Sequence, residues 1–323
     1  MVTGKMLDNQ TYMRRALQLA RNGRLDAHPN PMVGAVIVSP DGNIIGEGWH
    51  RRCGEGHAEV NAINSVKNPE LLKSATIFVT LEPCSHYGKT PPCAKLIIDR
   101  GIPEVVVGCL DPFEKVSGQG INMLRQAGVK VTTGVLEDQC KAINHIFMTA
   151  HTLHRPYIIL KWAESADGYI DGKISTPLTS TMVHHVRATI DAILIGSGTT
   201  MADNPRLDTR LISGRSPLRV ILDRRGRIPV SNSVFRDDNI IYVTSSIRHD
   251  LPKKIQLTGC DSLKSLLDKL YLKGITSLLV EGGRDVLQSF INEGLYDEMR
   301  IEQSPSFIKG NVKSPLTSDD HVH

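Results

Sequence analysis

Apolar and polar positions divide the chain into two successions of short strand-like runs and helical stretches. In the first, Val33 to Val38 and Ile44 to Gly48 are apolar runs separated by Ser39-Pro40-Asp41-Gly42-Asn43, whose turn formers predict a hairpin loop. Ala58, Ala62, Ile63 and Val66 recur at helical spacing, which puts His57 and Glu59 in the first turn of a helix. Thr76 to Leu81 is a β-rich run that stops at Glu82-Pro83, and Ala94, Leu96, Ile97 and Ile98 predict a second helix after Cys93. The stretch Thr149 to Pro156 interrupts a helical pattern and reads as a linker, with His151 and His154 as solvated linker residues. Beyond it, Pro156 to Gly168 predicts a strand running into a polar loop. Asp191 to Gly196, Leu218 to Asp223, Ile240 to Thr244 and Ser277 to Val280 are further strand-like runs with helical stretches between several of them, the pattern of an α/β sheet.

Candidate chemistry is densest in the first half. His57-Ala58-Glu59 is followed by Pro83-Cys84 and, nine residues on, by Cys93. One imidazole and two thiolates give a tetrahedral Zn²⁺ three protein ligands and leave a fourth position for water, the mark of a catalytic site. A carboxylate two residues from the His, not itself a ligand, suits proton transfer, and His-x-Glu with a later Pro-Cys…Cys is the signature of zinc deaminases. A lone His-Ala-Glu says almost nothing, and two cysteines alone read as buried thiols; the joint pattern separates the readings. Both cysteines are expected at or near helix starts, where the macrodipole favours thiolate. In the second half, Gly196-Ser197-Gly198 and Gly282-Gly283 end strands, a geometry that lets backbone approach a phosphate. Neither is a dinucleotide fingerprint, since Met201 stands where a third glycine is required.

Composition narrows the class. A chain of 323 residues predicts two domains. No apolar run is long enough to cross a bilayer and the N-terminus lacks a signal-peptide apolar core, so a cytoplasmic enzyme is expected. Six scattered cysteines do not make a disulfide framework. A net charge of +4 with 5% aromatic residues, and no dense Lys/Arg stripe, argues against a nucleic-acid binder.

Residues 7 to 150 resemble the deaminase half of the bifunctional riboflavin-biosynthesis deaminase/reductase family. The likeness rests on His28-Pro29-Asn30-Pro31-Met32-Val33-Gly34, His57-Ala58-Glu59, Thr80-Leu81-Glu82-Pro83-Cys84-Ser85-His86 and Gly88-Lys89-Thr90-Pro91-Pro92-Cys93. The eight residues between the cysteines separate it from cytidine, deoxycytidylate and transfer-RNA deaminases, which have a tighter Pro-Cys-x-x-Cys. The second half is similar to the reductase of the same family through Leu160-Lys161-x-Ala163-x-Ser165-x-Asp167-Gly168, Ala202-Asp203-Asn204-Pro205, Arg219-Val220-Ile221-Leu222-Asp223 and Val280-Glu281-Gly282-Gly283. The resemblance implies a cytidine-deaminase-like three-layer α/β/α domain over 7–150 and a dihydrofolate-reductase-like α/β domain over 156–323. It implies deamination of 2,5-diamino-6-ribosylamino-4(3H)-pyrimidinone 5′-phosphate, then reduction of the ribosyl group to ribityl, with one Zn²⁺ per chain and NADPH.

On that resemblance His57, Cys84 and Cys93 hold zinc and Glu59 carries protons. Asn30, His86, Lys89 and Asp111 contact the pyrimidine and its ribose phosphate; as bare residues, Asn30 equally serves a turn and Lys89 a solvated loop. Glu164, Ser165, Thr199, Asp203, Gly282 and Gly283 fall at the cofactor, and Lys161, Arg187, Leu207, Arg210 and Glu281 at the substrate. Arg187 and Arg210 suit a phosphate, since a guanidinium offers paired donors, or are ordinary surface arginines. Arg224, in the basic run Arg224-Arg225-Gly226-Arg227, either neutralises the 2′-phosphate that separates NADPH from NADH or belongs to a solvated turn.

Three departures stand out. Many relatives read Asp-Pro-Asn where this chain reads Asp111-Pro112-Phe113, and many carry a Ser-x-Trp before an Ile-Thr-Ser that this chain replaces with the short Ser175-Thr176-Pro177-Leu178-Thr179-Ser180. After a strand region from Glu298 to Phe307 the tail turns polar where relatives continue into β structure; a missing edge strand leaves room for a partner in a homo-oligomer. Competing readings are a zinc deaminase of another nucleotide or RNA with a non-reducing second half, and a deaminase with an inactive reductase-like half.

Overall fold

The computed structural model describes residues 8–86, 91–113 and 117–317. The chain divides into two compact units, Met1–Thr152 and Leu153–His323. The first contains α1 (Asn9–Ala20), β1 (Gly34–Val38), β2 (Ile44–Trp49), α2 (Ala58–Ser65), β3 (Thr76–Leu81), α3 (Cys93–Asp99), β4 (Glu104–Cys109), α4 (Gln119–Gln126), β5 (Lys130–Thr132), α5 (Glu137–Ile143) and α6 (His145–Leu153). Its sheet has the order β2-β1-β3-β4-β5. β1 runs antiparallel to β2 and β3, whereas β3, β4 and β5 are parallel.

Side chains alternate between the faces of a strand, and here both faces are apolar. Ala35 and Ile37 of β1, Ile77 and Val79 of β3, and Val105 and Val107 of β4 pack with α2, α3 and α4 in one core. Val36, Val38, Phe78 and Val106 face the other way onto Tyr12, Met13, Ala16 and Leu17 of α1. That pattern makes three α/β/α layers. Gly48 in β2 brings α2 to its place: a Cβ there would lie 2.3 Å from the Ala62 nitrogen and 2.6 Å from the Ala58 oxygen. The close approach fixes where the first turn of α2, with Glu59, sits over the sheet.

The second unit comprises β6 (Tyr157–Glu164), α7 (Pro177–Thr189), β7 (Ala192–Gly196), α8 (Ser197–Asp203), β8 (Leu218–Leu222), β9 (Ile240–Val243), β10 (Gln256–Leu257), α9 (Leu263–Leu272), β11 (Ser277–Gly282), α10 (Arg284–Asn292) and β12 (Glu298–Gln303). Its sheet has the order β10-β9-β8-β7-β11-β6-β12, with every neighbouring pair parallel. Ile158, Leu160 and Trp162 of β6, Leu194 of β7 and Leu278 and Val280 of β11 share a core with α9 and α10. Because all strands point one way, Gly196, Asp223, Gly282 and Gln303 gather at or just past their carboxyl ends, the edge where open parallel sheets bind ligands.

The segment between the halves is helical almost to its end: α6 continues to Leu153, so His151 belongs to a helix and not to a solvated linker. The predicted strand region from Glu298 is shorter than its pattern, ending at Gln303. The chain then folds back onto 165–170, where the Ala166 and Ile170 amides donate to the Ser306 and Val312 carbonyls and Lys313 lies 3.9 Å from the centre of the Tyr169 ring. Among the described residues no helix is long and apolar enough to cross a membrane.

Candidate active sites

In the first unit three elements converge. His57 is the N-cap of α2 in extended conformation, Cys84 lies in the loop after β3, and Cys93 opens α3 behind Pro92. His57 Nδ1 lies 3.6 Å from Cys84 Sγ and 3.3 Å from Cys93 Sγ, and the three candidate ligand atoms lie within 4.8 Å of one another. A tetrahedral zinc with ordinary Zn–S and Zn–N bonds places its sulfur and nitrogen ligands about 3.5 Å apart, so the donor set fits that ion. Cys84 is in the loop rather than on a helix, yet its sulfur accepts the Cys93 amide at 3.3 Å and its carbonyl accepts the Ala94 amide at 3.1 Å. The positive end of α3 therefore serves both thiols.

Taken as protein groups alone, the cluster already separates its protons. Donation from the Cys93 thiol, with His57 beside it, pulls the Cys84 thiol down to about 4, while Cys93, as the donor of that pair, is pushed up. The hydrogen bond with Cys84 raises His57 to about 9. Glu59 is 3% exposed, and burial pushes its carboxyl up to about 7, opposed by the neighbouring His57. A bound divalent charge pulls a neighbouring carboxyl back toward the ionised form.

Glu59, His57 and Cys84 line a cavity of about 520 Å³ together with Asn30, His86 and Asp111. Burial raises the Asp111 carboxyl. Lys89 lies outside the described residues. The sequence motifs assign no role to two residues of this wall. His50 follows the end of β2 and is buried; its Nε2 is 3.1 Å from Asn30 Nδ2 and its Nδ1 3.3 Å from the Gly56 carbonyl. Glu82, also buried, accepts backbone amides from Asp111, Gly118, Gly120 and Ile121 at 2.9–3.3 Å, tying the metal-ligand loop to the start of α4. His50 belongs to no motif, and Glu82 was legible only as part of Glu-Pro-Cys. Phe113 lines the same cavity with Phe147, and both rings lie against His151, at 4.9 and 4.4 Å.

Among the described residues of the second unit, two of the cavities lie at the carboxyl edge of the sheet. One, of about 420 Å³, is lined by Lys161, Thr199, Asp203, Glu281, Gly282 and Gly283. Gly283 is the N-cap of α10, and a Cβ on it would stand 2.8 Å from Thr199 Oγ1, so a larger residue there would push the Thr199 hydroxyl aside. Glu281 accepts two hydrogen bonds from Arg187, whose remaining Nη1 donates to the Asp208 carbonyl. Asp208 also takes Arg206 at 2.9 Å and Arg210 at 2.7 Å, which links Arg210 to Glu281 through Arg187. Leu207 is buried between these arginine-bearing residues with a left-handed backbone.

Glu164 and Ser165 are drawn elsewhere. Glu164 accepts from the Trp162 indole and Gln303. The Ser165 hydroxyl donates to Asp167 and accepts the Tyr169 amide, closing the 165–169 turn. The other cavity, of about 440 Å³, lies beside the same two helices and takes Ser197, Asp223, Arg224, Arg225 and Arg227 with Asp285. Arg227 donates to Ser197 Oγ at 2.7 Å.

These features define a zinc-binding deaminase-type unit joined to an α/β reductase-type unit. Residues 6–109 match the cytidine and deoxycytidylate deaminase zinc-binding region, and residues 156–322 match the RibD C-terminal domain. The chain belongs to the RibD family of riboflavin biosynthesis proteins. It is 39% identical to the RibD of Bacillus amyloliquefaciens, over 96% of this chain and 88% of that one, and 38% identical to that of Aquifex aeolicus, over 93% and 88%. Among solved structures it superposes on Acinetobacter baumannii RibD with a TM-score of 0.88 at 34% identity, covering 97% of this chain and 91% of that one. The diaminohydroxyphosphoribosylaminopyrimidine deaminase/5-amino-6-(5-phosphoribosylamino)uracil reductase of Thermotoga maritima gives 0.86 at 38% identity, covering 96% and 91%. Matching in both units favours the two-activity reading over a deaminase with an unrelated, non-reducing second half.

Proposed function

We propose that the chain deaminates 2,5-diamino-6-ribosylamino-4(3H)-pyrimidinone 5′-phosphate in its first unit and reduces the ribosyl group of the product to ribityl in its second, using Zn²⁺ and NADPH. The observation that carries this reading is the buried Glu59 set in one cavity wall with the His57/Cys84/Cys93 donors and the polar Asn30, His86 and Asp111. Zinc, when bound by that triad, supplies a water whose pKa lies near 7. Glu59, in the same cavity wall as the three donors, would take a proton from that water and deliver it to the departing exocyclic amine. His50 bonds the Asn30 amide and the Gly56 carbonyl, so the Asn30 side chain meets the substrate in one orientation. The hydrophobic Val33, Leu81 and Phe147 walls limit water around the ring.

In the second unit NADPH, when bound, supplies the hydride that the opened sugar accepts at its anomeric carbon. Thr199, Asp203 and the Gly282-Gly283 turn form the cofactor side of the cavity, and Lys161 and Glu281 the substrate side. Arg210, 53% exposed at its side chain, has donors left for a phosphate; Arg187 holds Glu281 instead. No disulfide joins any of the six cysteines, which matches a reducing compartment such as the cytoplasm. Incubating zinc-loaded protein with the diaminopyrimidine phosphate, and following ammonia release and NADPH oxidation separately, tests both halves. Ammonia without NADPH oxidation would leave only the deaminase, and neither would overturn the reading.

A further inference from the structure

The substrate side of the second cavity wall rests on a carboxylate that no motif contains. Glu302 lies near the carboxyl end of β12, in register with Ala163 of β6, so its side chain shares a sheet face with Lys161 two residues back. Its Oε1 accepts the Thr179 hydroxyl at 2.6 Å and its Oε2 the Ser175 hydroxyl at 2.6 Å, with Lys161 Nζ 3.7 Å from Oε2. Lys161 and Glu302 are each 17% exposed at the side chain, so their attraction is only partly screened. Ser175 lines the cavity with Lys161, and Thr179 closes the capping box at the start of α7. One carboxylate thus ties the short segment before α7 to the lysine on the cavity floor.

We propose that Glu302 is a positioning residue of the reductase, aiming the Lys161 ammonium at the substrate while Ser175 and Thr179 hold the carboxylate still. This rests on the reading of Lys161 as a substrate contact. A lysine has a long stem with freely rotating bonds, so a fixed counter-charge beside it selects one direction before substrate arrives. The two hydroxyls each occupy a different oxygen of Glu302, which leaves the carboxylate no free rotation to follow the lysine. In the short segment before α7 this chain therefore anchors its wall by hydrogen bonds and charge.

The test is a double-mutant cycle on zinc-loaded, full-length protein, read as NADPH oxidation with the deaminated pyrimidine ribosyl phosphate. Glu302→Gln should lower kcat/KM for that substrate about tenfold while the KM for NADPH stays within twofold. In a Lys161→Ala background the same change should have no further effect, because its route is gone; a merely structural loss would add in full. Should Glu302→Gln fail to fold, the Ser175→Ala/Thr179→Val pair should give a smaller loss of the same kind, again absent without Lys161. Unchanged kinetics, or a loss that adds to Lys161→Ala, would overturn the role of Glu302 alone. A fully active Lys161→Ala would overturn it together with the reading of Lys161.

Discussion

Arg187 and Glu281 face each other through two hydrogen bonds, Nη2 to Oε2 at 2.6 Å and Nε to Oε1 at 3.2 Å, with side chains 12% and 11% exposed. A paired guanidinium and carboxylate this enclosed is a fixed part of the wall and not a free phosphate clamp. Removing one partner leaves the other charge poorly solvated, which costs on the order of 3 kcal/mol. Glu281→Ala should therefore destabilise the second unit by about that amount in urea unfolding and abolish reduction. An Arg187→Met/Glu281→Leu double variant should regain most of the stability without activity. Equal stability of single and double variants would show that the pair carries no such penalty.

The roles proposed for the first unit separate metal binding from proton transfer. Cys84→Ser removes one of three donors and should lose both zinc and deamination, while reduction of the deaminated substrate continues in the other unit. Glu59→Gln should keep zinc near one ion per chain and lose about 10²–10⁴-fold in deamination, the range for a positioned acid/base. Zinc analysis beside ammonia release distinguishes the roles, and loss of metal from Glu59→Gln would make Glu59 a ligand or a structural residue.

Asp167 predicts a pH-dependent fastening of the 306–313 segment. The Ser165 hydroxyl and the Ile308 and Lys309 amides hold its carboxyl down to about 2. A depressed carboxyl stabilises the folded form above its ordinary value of 3.8, and the contribution is lost as pH falls from there toward 2. Amide exchange at Ile308 and Lys309, corrected for intrinsic rates, should lose protection across that window. In Asp167→Asn the protection should be lower at neutral pH and nearly flat with acid.

That His57, Cys84 and Cys93 come together with Glu59 in one cavity wall was legible because their spacing and residue types, taken jointly, have one economical chemical use. Strands such as Thr76–Leu81 were legible because both faces of the sheet are covered, so the apolar Ile77-Phe78-Val79 follow one another without polar alternation. What the sequence hid are partnerships over long separations. Nothing near Glu302 points to Thr179, 123 residues earlier, and nothing near Glu82 points to Gly120. Its motif points Ser165 toward the cofactor, and nothing local shows that its hydroxyl bonds Asp167 and the Tyr169 amide. His151, placed in a linker by the polar run around it, is helical and packs on Phe113 and Phe147, contacts that no local pattern encodes.

The cavity beside α8 and α10 makes a prediction about cofactor choice. Arg224 and Arg225 are exposed and line it together with Arg227, at the end of β8 where the chain turns back toward β9. Arg227 gives one donor to Ser197, and the two outer arginines line the cavity beside it with donors to offer the 2′-phosphate. NADPH and NADH differ by that phosphate, and hydrogen bonds to a charged group contribute about 1.5–3 kcal/mol each. Arg224→Ala/Arg225→Ala should therefore weaken NADPH at least tenfold and leave NADH within twofold. Because salt screens exposed charge pairs over about 10 Å at 0.1 M, wild-type affinity for NADPH should fall with ionic strength and that of the variant should barely change. Titrating both cofactors at low and high salt checks this. Equal weakening of NADPH and NADH would point to damage in the β8–β9 turn, and unchanged affinities would show that these arginines face only water.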